Sequence, residues 1–463
     1  MWSECRWSLF VAAGCLVFLG CFERTSQKEY PDVLLITIDT LRADRLHAYG
    51  FPQDSTSRID ELASRGTLFE DAIAASSRTV PSHASMMTSR WVRGHSVGSF
   101  NGSTRLDEVE TLAGRFREAG YDTAAFVSNF VLKRRTGLDR GFETYDDEMA
   151  GVETDRVGRF ERVARDTAEQ AIHWLGLRGR RPLFLWVHLQ DPHGPYSPPA
   201  PFAGSLRPVT ARTEQELPIL SRDVGRAGIP RYQAIDGEQR PGFYATRYAE
   251  EVAYTDFWVG ALVEAFENAG ASRERVVLLT ADHGESLGEN GFFFQHGERS
   301  SPDQVWVPLI LVGPGVGKAR SPIPVSHVDI APTLLEMAGL APLKGAKGIS
   351  LRDLLSSEDS FPERTIYSET AREIRAYRGD LSVEARPGPG AALRNPLDVS
   401  GDLLWSGYQR LSDGRWVRTP PSSDLVQETS AHLEQSVPTT AAHDLDDDDR
   451  ARLRALGYLP DPG

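Results

Sequence analysis

The chain has 463 residues, of which 40% are hydrophobic and 25% are charged, so it can bury one large core or two moderate ones. Its formal net charge of −14 argues against broad binding to nucleic acid, which requires a basic face. The three cysteines, Cys5, Cys15 and Cys21, all lie near the N-terminus. This excludes a disulfide framework, a cysteine metal cluster and a thiol nucleophile from the body of the protein.

Residues 1–21 predict a signal peptide. The apolar run "WSLFVAAGCLVFLGCF" is shorter than the roughly 20 residues of a membrane span and fits the apolar region of an export signal. The letters "FLGC", ending at Cys21, resemble a bacterial lipobox, in which the cysteine is lipidated. Lipidation at Cys15, an ordinary signal peptide and a retained anchor are the alternatives. All of them place the body outside the cytoplasm, in the bacterial cell envelope. A lipid on Cys21 would tie it to the membrane surface through a linker at residues 22–30.

Apolar β-rich runs alternate with helical patterns from residue 31 onward. Strands are predicted at "DVLLITID", "DTAAFVSN", "RPLFLWVHLQ", "RVVLLTAD" and "WVPLILVGPG". Helices are predicted at "RIDELASRGTLFEDAI", "DTAEQAIHWLGL" and "YAEEVAYTDFWVGALVEAFENAG". The alternation predicts a mainly parallel sheet covered by helices on both faces, with its ligand beyond the carboxyl ends of the strands.

The α/β pattern predicts a catalytic domain at residues 31–345, and residues 346–463 predict a smaller C-terminal subdomain. Residues 197–241 are rich in Pro, Arg and Gly and lack periodicity, which indicates a long loop near the mouth of the site. In the subdomain, "DLLWSGYQRLSDGRWVRT" predicts a hairpin and "LDDDDRARLRALGYL" a terminal helix. Residues 385–400 predict an irregular insert.

Acidic and imidazole side chains stand at the ends of the predicted strands. Asp39 ends the first strand, and Asp282 and His283 end another. A carboxylate with an adjacent Asp-His pair suits a divalent cation that accepts oxygen and nitrogen ligands, such as Zn²⁺ or Mn²⁺ rather than Ca²⁺. The alternative for an Asp at a strand end is a cap on the turn that follows.

Two further motifs supply histidines. "WVHLQDPHGPY" places His188, Asp191 and His193 after a third strand, and "QHG" places His296 downstream of "DHGES". Glycines beside such residues allow the backbone to approach a ligand closely. Any one of these side chains could serve only the loop backbone, but their combination predicts a catalytic site.

These motifs resemble those of the sulfatase family within the alkaline phosphatase superfamily. The resemblance runs from about Asp32 to Leu355 and includes "ITIDTLRADRLHAYG", "GYDTAAFVSN", "HLQDPHGPY", "DHGESLGENGFFFQHG" and "SHVDIAPTLLEMAGL". The family's nucleophile motif has Cys or Ser, one residue, Pro, and Arg two further on, where this chain has "TVPSH" starting at Thr79. The resemblance implies an alkaline-phosphatase-like α/β three-layer sandwich with a mainly parallel sheet and a smaller C-terminal subdomain.

The resemblance also implies roles, position by position. A metal site is expected next to the nucleophile, with one or two divalent ions, and the implied metal ligands are Asp39, Thr79, Asp282 and His283. The implied catalytic residues are Thr79, His193 and His296. The side chains implied to contact the substrate or a second metal are His188, Asp191, His193, His296 and Asn129.

Departures from the formylglycine sulfatases change the expected chemistry. Thr79 replaces the Cys or Ser from which formylglycine is made, so no formylglycine is expected. His83 stands at the arginine of the motif, and Asn129 and His296 stand at lysines. These changes exchange an oxygen-only calcium site for one with imidazole ligands. They resemble phosphodiesterases with a threonine nucleophile and phosphoethanolamine transferases.

The predicted function is metal-dependent hydrolysis of a sulfate- or phosphate-type ester through a covalent intermediate on Thr79. Threonine lacks the second hydroxyl through which a formylglycine hydrate expels sulfate, which favours a phosphodiester or phosphonate ester. The substrate is then a small anionic ester on a glycan or a lipid. The alternatives are a sulfatase without formylglycine, a transferase of phospho-head groups and a non-catalytic surface binding protein. Ser77 or Ser82 as the nucleophile also stays open.

Overall fold

The computed structural model describes residues 30–97, 105–106, 109–149, 162–222, 224–270, 272–354, 363–370, 372–388, 402–435 and 447. The predicted signal peptide with Cys21 and nearly all of the linker lie outside these residues. So does the predicted terminal helix, apart from residue 447. None of the described helices combines the length and hydropathy that crossing a membrane requires.

The described strands and helices alternate along the first 340 residues, and strands dominate thereafter. In chain order the strands are β1 (Asp32–Ile38), β2 (Thr67–Ile73), β3 (Asp122–Val127), β4 (Thr144–Asp146), β5 (Leu183–Leu189), β6 (Arg275–Ala281), β7 (Ser286–Leu287), β8 (Phe293–Gln295), β9 (Trp306–Val312), β10 (Ala319–Ser321), β11 (Val325–Ser326), β12 (Ile366–Glu369), β13 (Ile374–Arg378), β14 (Leu381–Pro387), β15 (Leu403–Arg410) and β16 (Trp416–Thr419). The helices are α1 (Ser57–Arg65), α2 (Thr79–Thr88), α3 (Val92–His95), α4 (Leu112–Glu118), α5 (Ala164–Leu177), α6 (Pro241–Asn268), α7 (Pro302–Val305), α8 (Ile330–Met337), α9 (Leu351–Leu354) and α10 (Ser423–Leu433).

The main sheet has the order β10-β2-β9-β6-β1-β5-β3-β4, and β11 pairs with β2. Most neighbours are parallel, and β9 runs antiparallel to both β2 and β6. The central strands β1 and β5 are buried along their whole length, as expected for continuous Val, Leu and Ile runs covered on both faces. The predicted mainly parallel α/β sheet is therefore confirmed.

Helices cover the sheet in two groups. α5 and α1 both contact the long helix α6, whereas α2 and α4 both contact α8. The predicted helix at "RIDELASRGTLFEDAI" is wrong in its second half, because the chain leaves α1 at Gly66 and becomes β2. A Cβ at Gly66 would lie 2.1 Å from the carbonyl oxygen of Leu311, so the close approach of β9 ends the helix there.

The C-terminal subdomain is built on an antiparallel sheet of five described strands, β12-β13-β14-β15-β16. The predicted hairpin is confirmed by the pairing of β15 with β16. The prediction places the start of the irregular insert too early in the chain, because residues 385–387 belong to β14 and pair with β15. The rest of that insert, from residue 389 to residue 400, lies outside the described residues. The C-terminal sheet is joined to the loop between β2 and α2 where the N–H of Glu369 donates to the carbonyl of Ala75 over 2.9 Å.

The long loop predicted at residues 197–241 is confirmed: its only described helical turn is the three-residue turn Arg231–Gln233. Gln233 is fully buried, and its side-chain amide donates to the carbonyl of Phe294 over 3.2 Å. The loop and the start of α6 enclose a cavity of about 590 Å³, whose wall includes Tyr196 and Phe243. The loop thus packs on the segment that leads to His296.

Candidate active site

The neighbouring parallel strands β1 and β6 place two carboxylates at the same edge of the main sheet. Ile38 pairs with Ala281, so Asp39 and Asp282 leave the sheet side by side. Oδ1 of Asp282 accepts from the backbone N–H groups of Thr40 (3.2 Å) and His283 (2.8 Å). These bonds fix the carboxyl group and turn Oδ2 towards Nε2 of His283, 3.5 Å away.

Thr79 is the first residue of α2, is 2% exposed, and carries its hydroxyl to the same point. Oγ1 of Thr79 lies 3.3 Å from Nε2 of His283. His283 donates from Nδ1 to the carbonyl of Gly284 over 3.0 Å, which leaves Nε2 as the nitrogen with a lone pair. Since Oδ1 of Asp39 is also within 3.8 Å of Nε2, four candidate ligand atoms meet here.

These atoms fit a divalent cation. Oδ1 of Asp39 and Oδ2 of Asp282 are buried and have no hydrogen-bond partner among the described residues, which is costly unless another group binds them. The ligand atoms of a tetrahedral site with bonds of about 2.1 Å lie roughly 3.4 Å apart, close to the separations from Nε2 of His283 given above. Two carboxylates with an imidazole suit Zn²⁺ or Mn²⁺.

The charges at this edge are coupled. Burial opposes ionisation of Asp39, but the imidazoles of His188, His193 and His283 outweigh it and hold the pKa of Asp39 below its usual range. Burial, together with the negative charge of Asp39, raises the pKa of Asp282 well above its usual value. Two carboxylates in one dry site repel each other, and a bound cation would relieve that repulsion.

Two predicted residues support Asp39. Asn129 donates from Nδ2 to Oδ2 of Asp39 over 2.8 Å, and its own Oδ1 accepts from the N–H of Val131. His188 is fully buried, with Nε2 3.6 Å from the same Oδ2. The structure therefore places both side chains on the Oδ2 side of Asp39, whereas Oδ1 faces His283.

His193 and His296 complete a row of three imidazoles. Their ring centroids lie 5.0 Å apart, and the ring of His296 lies 4.5 Å from that of His283. Nδ1 of His193 donates to the carbonyl of Gly194 over 2.9 Å, and Nδ1 of His296 faces a carboxylate oxygen of Glu285 at 3.4 Å. The structure thus gives Nδ1 of each ring an acceptor.

Asp191 is directed elsewhere. Its Oδ2 accepts from the N–H of Ala164, the first residue of α5, over 2.5 Å. A carboxylate at a helix N-terminus stabilises the helix, since the N–H groups of the first turn have no partners within the helix. The structure therefore brings Asp191 into the loop of His193 but engages its carboxylate with α5.

Three residues near the site, His83, His327 and Glu285, make contacts that the sequence analysis did not predict. His83 donates from Nδ1 to the carbonyl of Thr79 (2.8 Å), and its Nε2 accepts from the hydroxyl of Thr37 (3.0 Å). The spacing of four residues within "TVPSH" was the available signal, because it places both on one helix face. His83, His188 and Asp282 lie close enough together for a second ion. Both ring nitrogens of His83 are already bonded, however, which argues against one.

The other two are His327 and Glu285. Nε2 of His327 donates to the carbonyl of Ala281 (2.9 Å), and its Nδ1 accepts from the N–H of Ala75 (3.3 Å). This buried ring ties the end of β6 to the loop before Thr79. Glu285 is fully buried beside His296. No spacing within the sequence predicts either contact.

Known proteins are similar to this chain in sequence and in fold. The sequence model of the family described as Sulfatase matches residues 31–340. The chain belongs to the sulfatase family. A Δ4,5-hexuronate-2-O-sulfatase of Bacteroides thetaiotaomicron is 28% identical over 95% of this chain and 96% of its own length. A choline-sulfatase of Rhizobium meliloti is 24% identical over 67% of this chain and 68% of its own.

Solved structures show the same fold around this sulfatase-family site. A phosphonate monoester hydrolase of Agrobacterium radiobacter superposes with a TM-score of 0.65 at 20% identity, over 87% of this chain and 94% of its own. A 2-O GAG sulfatase gives a TM-score of 0.65 at 21% identity, over 87% of this chain and 90% of its own. The fold is thus the predicted alkaline-phosphatase-like sandwich with a C-terminal antiparallel subdomain. Together with the family match, the relatives identify a hydrolase that acts on ester bonds.

Proposed function

We propose that this sulfatase-family hydrolase cleaves an anionic ester by attack of Thr79, with Asp39, Asp282 and His283 holding a divalent cation beside it. The observation that carries the proposal is the position of Oγ1 of Thr79. It lies 3.3 Å from Nε2 of His283, at a point where two buried carboxylate oxygens lack partners. A bound cation would lower the pKa of the hydroxyl and neutralise charge on the ester oxygens.

The chain's own groups supply the rest of the chemistry. Oγ1 of Thr79 gives up its proton and forms a bond to the central atom of the ester, while the bond to the leaving oxygen breaks and that oxygen takes up a proton. Water then gives up a proton as it attacks the same central atom, the bond from that atom to Oγ1 breaks, and Oγ1 of Thr79 takes a proton back. His193 and His296 are proposed to exchange these protons at Nε2, because Nδ1 of each ring is engaged. The start of α2 also favours a negative charge next to Thr79.

The chemistry of threonine favours a phosphonate ester or a phosphodiester. An ester on Thr79 cannot be expelled by a neighbouring hydroxyl, so water must open it at the central atom. That substitution suits phosphorus, and a row of imidazoles extends from His283, whose Nε2 is 3.3 Å from Oγ1 of Thr79, where the family has lysine side chains. We therefore propose a small phosphorus ester as the substrate, carried by a glycan or a lipid.

A sulfate ester of a glycan is the second candidate. The observation that favours it is the similarity to the Δ4,5-hexuronate-2-O-sulfatase, which extends over nearly the full length of both chains. The two candidates share the fold, the cation site and Thr79, so a comparison of substrates separates them. Transfer to an acceptor alcohol instead of water is a further outcome that product analysis would detect.

The test is an activity panel on the chain without residues 1–21, loaded with Mn²⁺ or Zn²⁺. Phosphonate monoester, phosphodiester, phosphate monoester and aryl sulfate substrates are compared at equal concentration. Thr79→Ala should lower kcat of the main activity by roughly 10⁴-fold or more, because the covalent step is lost. A near-unchanged rate in that variant rules out the mechanism.

Ser82→Ala is the matched control. Ser82 lies in the same motif, but its hydroxyl donates to the carbonyl of Ser76 over 2.8 Å and is fully buried. This variant should keep most of the activity. Mass spectrometry of protein quenched during turnover should locate the added group on Thr79, whereas an adduct on Ser77 would assign the reaction to that residue instead.

We also propose that the protein is exported to the bacterial cell envelope and anchored by a lipid on Cys21. The support is the apolar run that ends in "FLGC". Cys21→Ser should move the protein from the membrane fraction to the soluble fraction of the envelope. If it stays with the membrane, Cys15→Ser and a retained anchor are the next cases to examine.

A further inference from the structure

Three imidazoles in the candidate active site are anchored in two different ways. His193 and His283 each donate from Nδ1 to the carbonyl of the glycine that follows them, over 2.9 Å and 3.0 Å. The anchor of His296 is Oε1 of Glu285, at 3.4 Å from its Nδ1. The first two rings are therefore fixed by their own backbone. The third depends on a side chain that is eleven positions away in the sequence.

Glu285 is itself held in place. Its side chain is fully buried, and its backbone carbonyl accepts from Nη1 of Arg42 over 2.8 Å. A carboxyl group in such a site is costly unless polar partners face it. Oε1 of Glu285 faces Nδ1 of His296 at 3.4 Å, whereas its Oε2 has no hydrogen-bond partner among the described residues.

We propose that Glu285 is a positioning residue that holds His296 in the tautomer protonated at Nδ1, so that Nε2 stays free towards the reacting atoms. The inference deepens the proposed function and rests on it, because His296 is assigned there to proton exchange. A carboxylate that accepts from one nitrogen of an imidazole fixes both the ring orientation and the position of its proton. In Glu285→Gln the ring loses that charged acceptor, and either nitrogen can then carry the proton.

The first test measures the tautomer of His296 directly and does not depend on catalysis. Full-length protein labelled with ¹⁵N-histidine is studied by NMR in the absence of metal, and the signals of His296 are identified by their loss in His296→Asn. We expect Nδ1 of His296 to carry the proton in the native chain and the two tautomers to mix in Glu285→Gln. An unchanged tautomer in Glu285→Gln overturns the proposal.

The second test is kinetic and uses a double-mutant cycle. Glu285→Gln should lower kcat by roughly 10- to 100-fold with a much smaller change in KM, as expected when a residue that orients a catalytic imidazole is removed. In the His296→Ala background the same substitution should cause no further loss. Equal losses in both backgrounds would show that Glu285 acts independently of His296.

Tyr196→Phe is the matched control. It removes a buried hydroxyl that influences the carboxyl group of Glu285 electrostatically and leaves the contact with His296 in place, so the His296 tautomer should be unchanged. Glu285→Asp is used if Glu285→Gln does not fold; its shorter carboxylate should restore the Nδ1 tautomer in part. The two proposals fail separately: an active Thr79→Ala contradicts the proposed function, whereas the tautomer measurement contradicts only the role of Glu285.

Discussion

Two of the regions that bury charged side chains in this molecule differ in how those charges are paired. At the edge of the main sheet, one oxygen of Asp39, one oxygen of Asp282 and both ring nitrogens of His188 are buried without hydrogen-bond partners among the described residues. In the C-terminal sheet, Glu373 and Glu384 are equally buried, but each lies within 2.8 Å of Arg386.

The subdomain charges also have aromatic partners. Arg375 is 2% exposed, donates to the hydroxyl of Ser382 over 2.9 Å and lies 4.2 Å from the ring centre of Tyr408. A buried charge with such partners needs no ligand. Buried polar groups without a hydrogen-bond partner are unusual, in contrast, because nearly all buried polar groups of folded proteins have one. The difference indicates that the carboxylates of Asp39 and Asp282 are prepared for a ligand, whereas Arg375 and its ion-pair partners have a structural role.

The largest expected effect is the loss of metal affinity on substitution of Asp282. In Asp282→Asn the amide oxygen can keep the bonds from Thr40 N and His283 N, while the charge that faces His283 is removed. Metal affinity should fall by more than about 100-fold, since a direct ligand matters more than the supporting residues whose loss costs roughly 10- to 100-fold. The metal-free protein should keep or gain stability, because the repulsion from Asp39 is gone.

Both halves of that prediction are measurable on the same protein. Metal content after dialysis, determined by mass spectrometry, gives the affinity, and urea unfolding in the presence of a chelator gives the metal-free stability. A variant that holds the metal as tightly as the native chain, or that unfolds several kcal/mol more easily without it, contradicts the reading of this edge as a cation site.

In the C-terminal sheet we expect the opposite outcome, a loss of stability with little loss of activity. Arg375→Ala leaves Glu384 with less positive charge nearby and removes the cation from the ring of Tyr408. We expect a loss of about 3 kcal/mol in unfolding free energy, as for other broken buried ion pairs. The activity of each folded molecule should stay within about twofold, since the site retains all its groups.

Urea unfolding and active-site titration separate these two quantities. Arg418→Ala is the matched control, because Arg418 is exposed on β16, the last strand of the same sheet, and the described contact of its side chain is with the hydroxyl of Ser406. That variant should change stability by less than about 0.5 kcal/mol. A large loss of activity in folded Arg375→Ala would mean that the subdomain network also serves the site.

The sequence predicted the edge of the main sheet because the signals for it are local. Asp39 and Asp282 each follow an apolar run, and parallel strands in register bring their carboxyl ends together. The helix pattern at residues 58–73 was misleading, since residues 67–73 pair with β9, more than 200 positions away. Contacts over such distances depend on the completed sheet, and no local pattern contains them.

The same limit applies within the site. Asp191 is near His193 in sequence, but the position of α5 decides that its carboxylate meets Ala164 N. His327 meets Ala75 across 252 positions, and only the folded chain reveals that contact. The sequence therefore predicts which side chains reach the edge of the sheet, while the partner of each nitrogen and oxygen atom follows from the tertiary structure.

The last prediction concerns the pH dependence of stability at a buried histidine whose two ring nitrogens both have hydrogen-bond partners. Nε2 of His95 donates to the hydroxyl of Ser85 (3.0 Å), and its Nδ1 accepts from the N–H of Val97 (3.0 Å). Burial, assisted by the positive charge of Arg90, lowers the pKa of His95 to about 3. Protonation at Nδ1 would break the bond from Val97. This neutral ring therefore resembles Arg375 in being buried with polar partners in place.

The pKa of His95 in the folded chain is below the value of about 6.5 expected after unfolding. Its contribution to stability is therefore complete above pH 6.5 and is lost as the pH falls towards 3, by about 1.4 kcal/mol for each pH unit. In His95→Gln the unfolding free energy should fall less steeply between pH 6.5 and pH 4 by roughly that amount. Urea titrations of both chains with a chelator present give the two slopes, and parallel slopes would show that His95 is already charged in the folded protein.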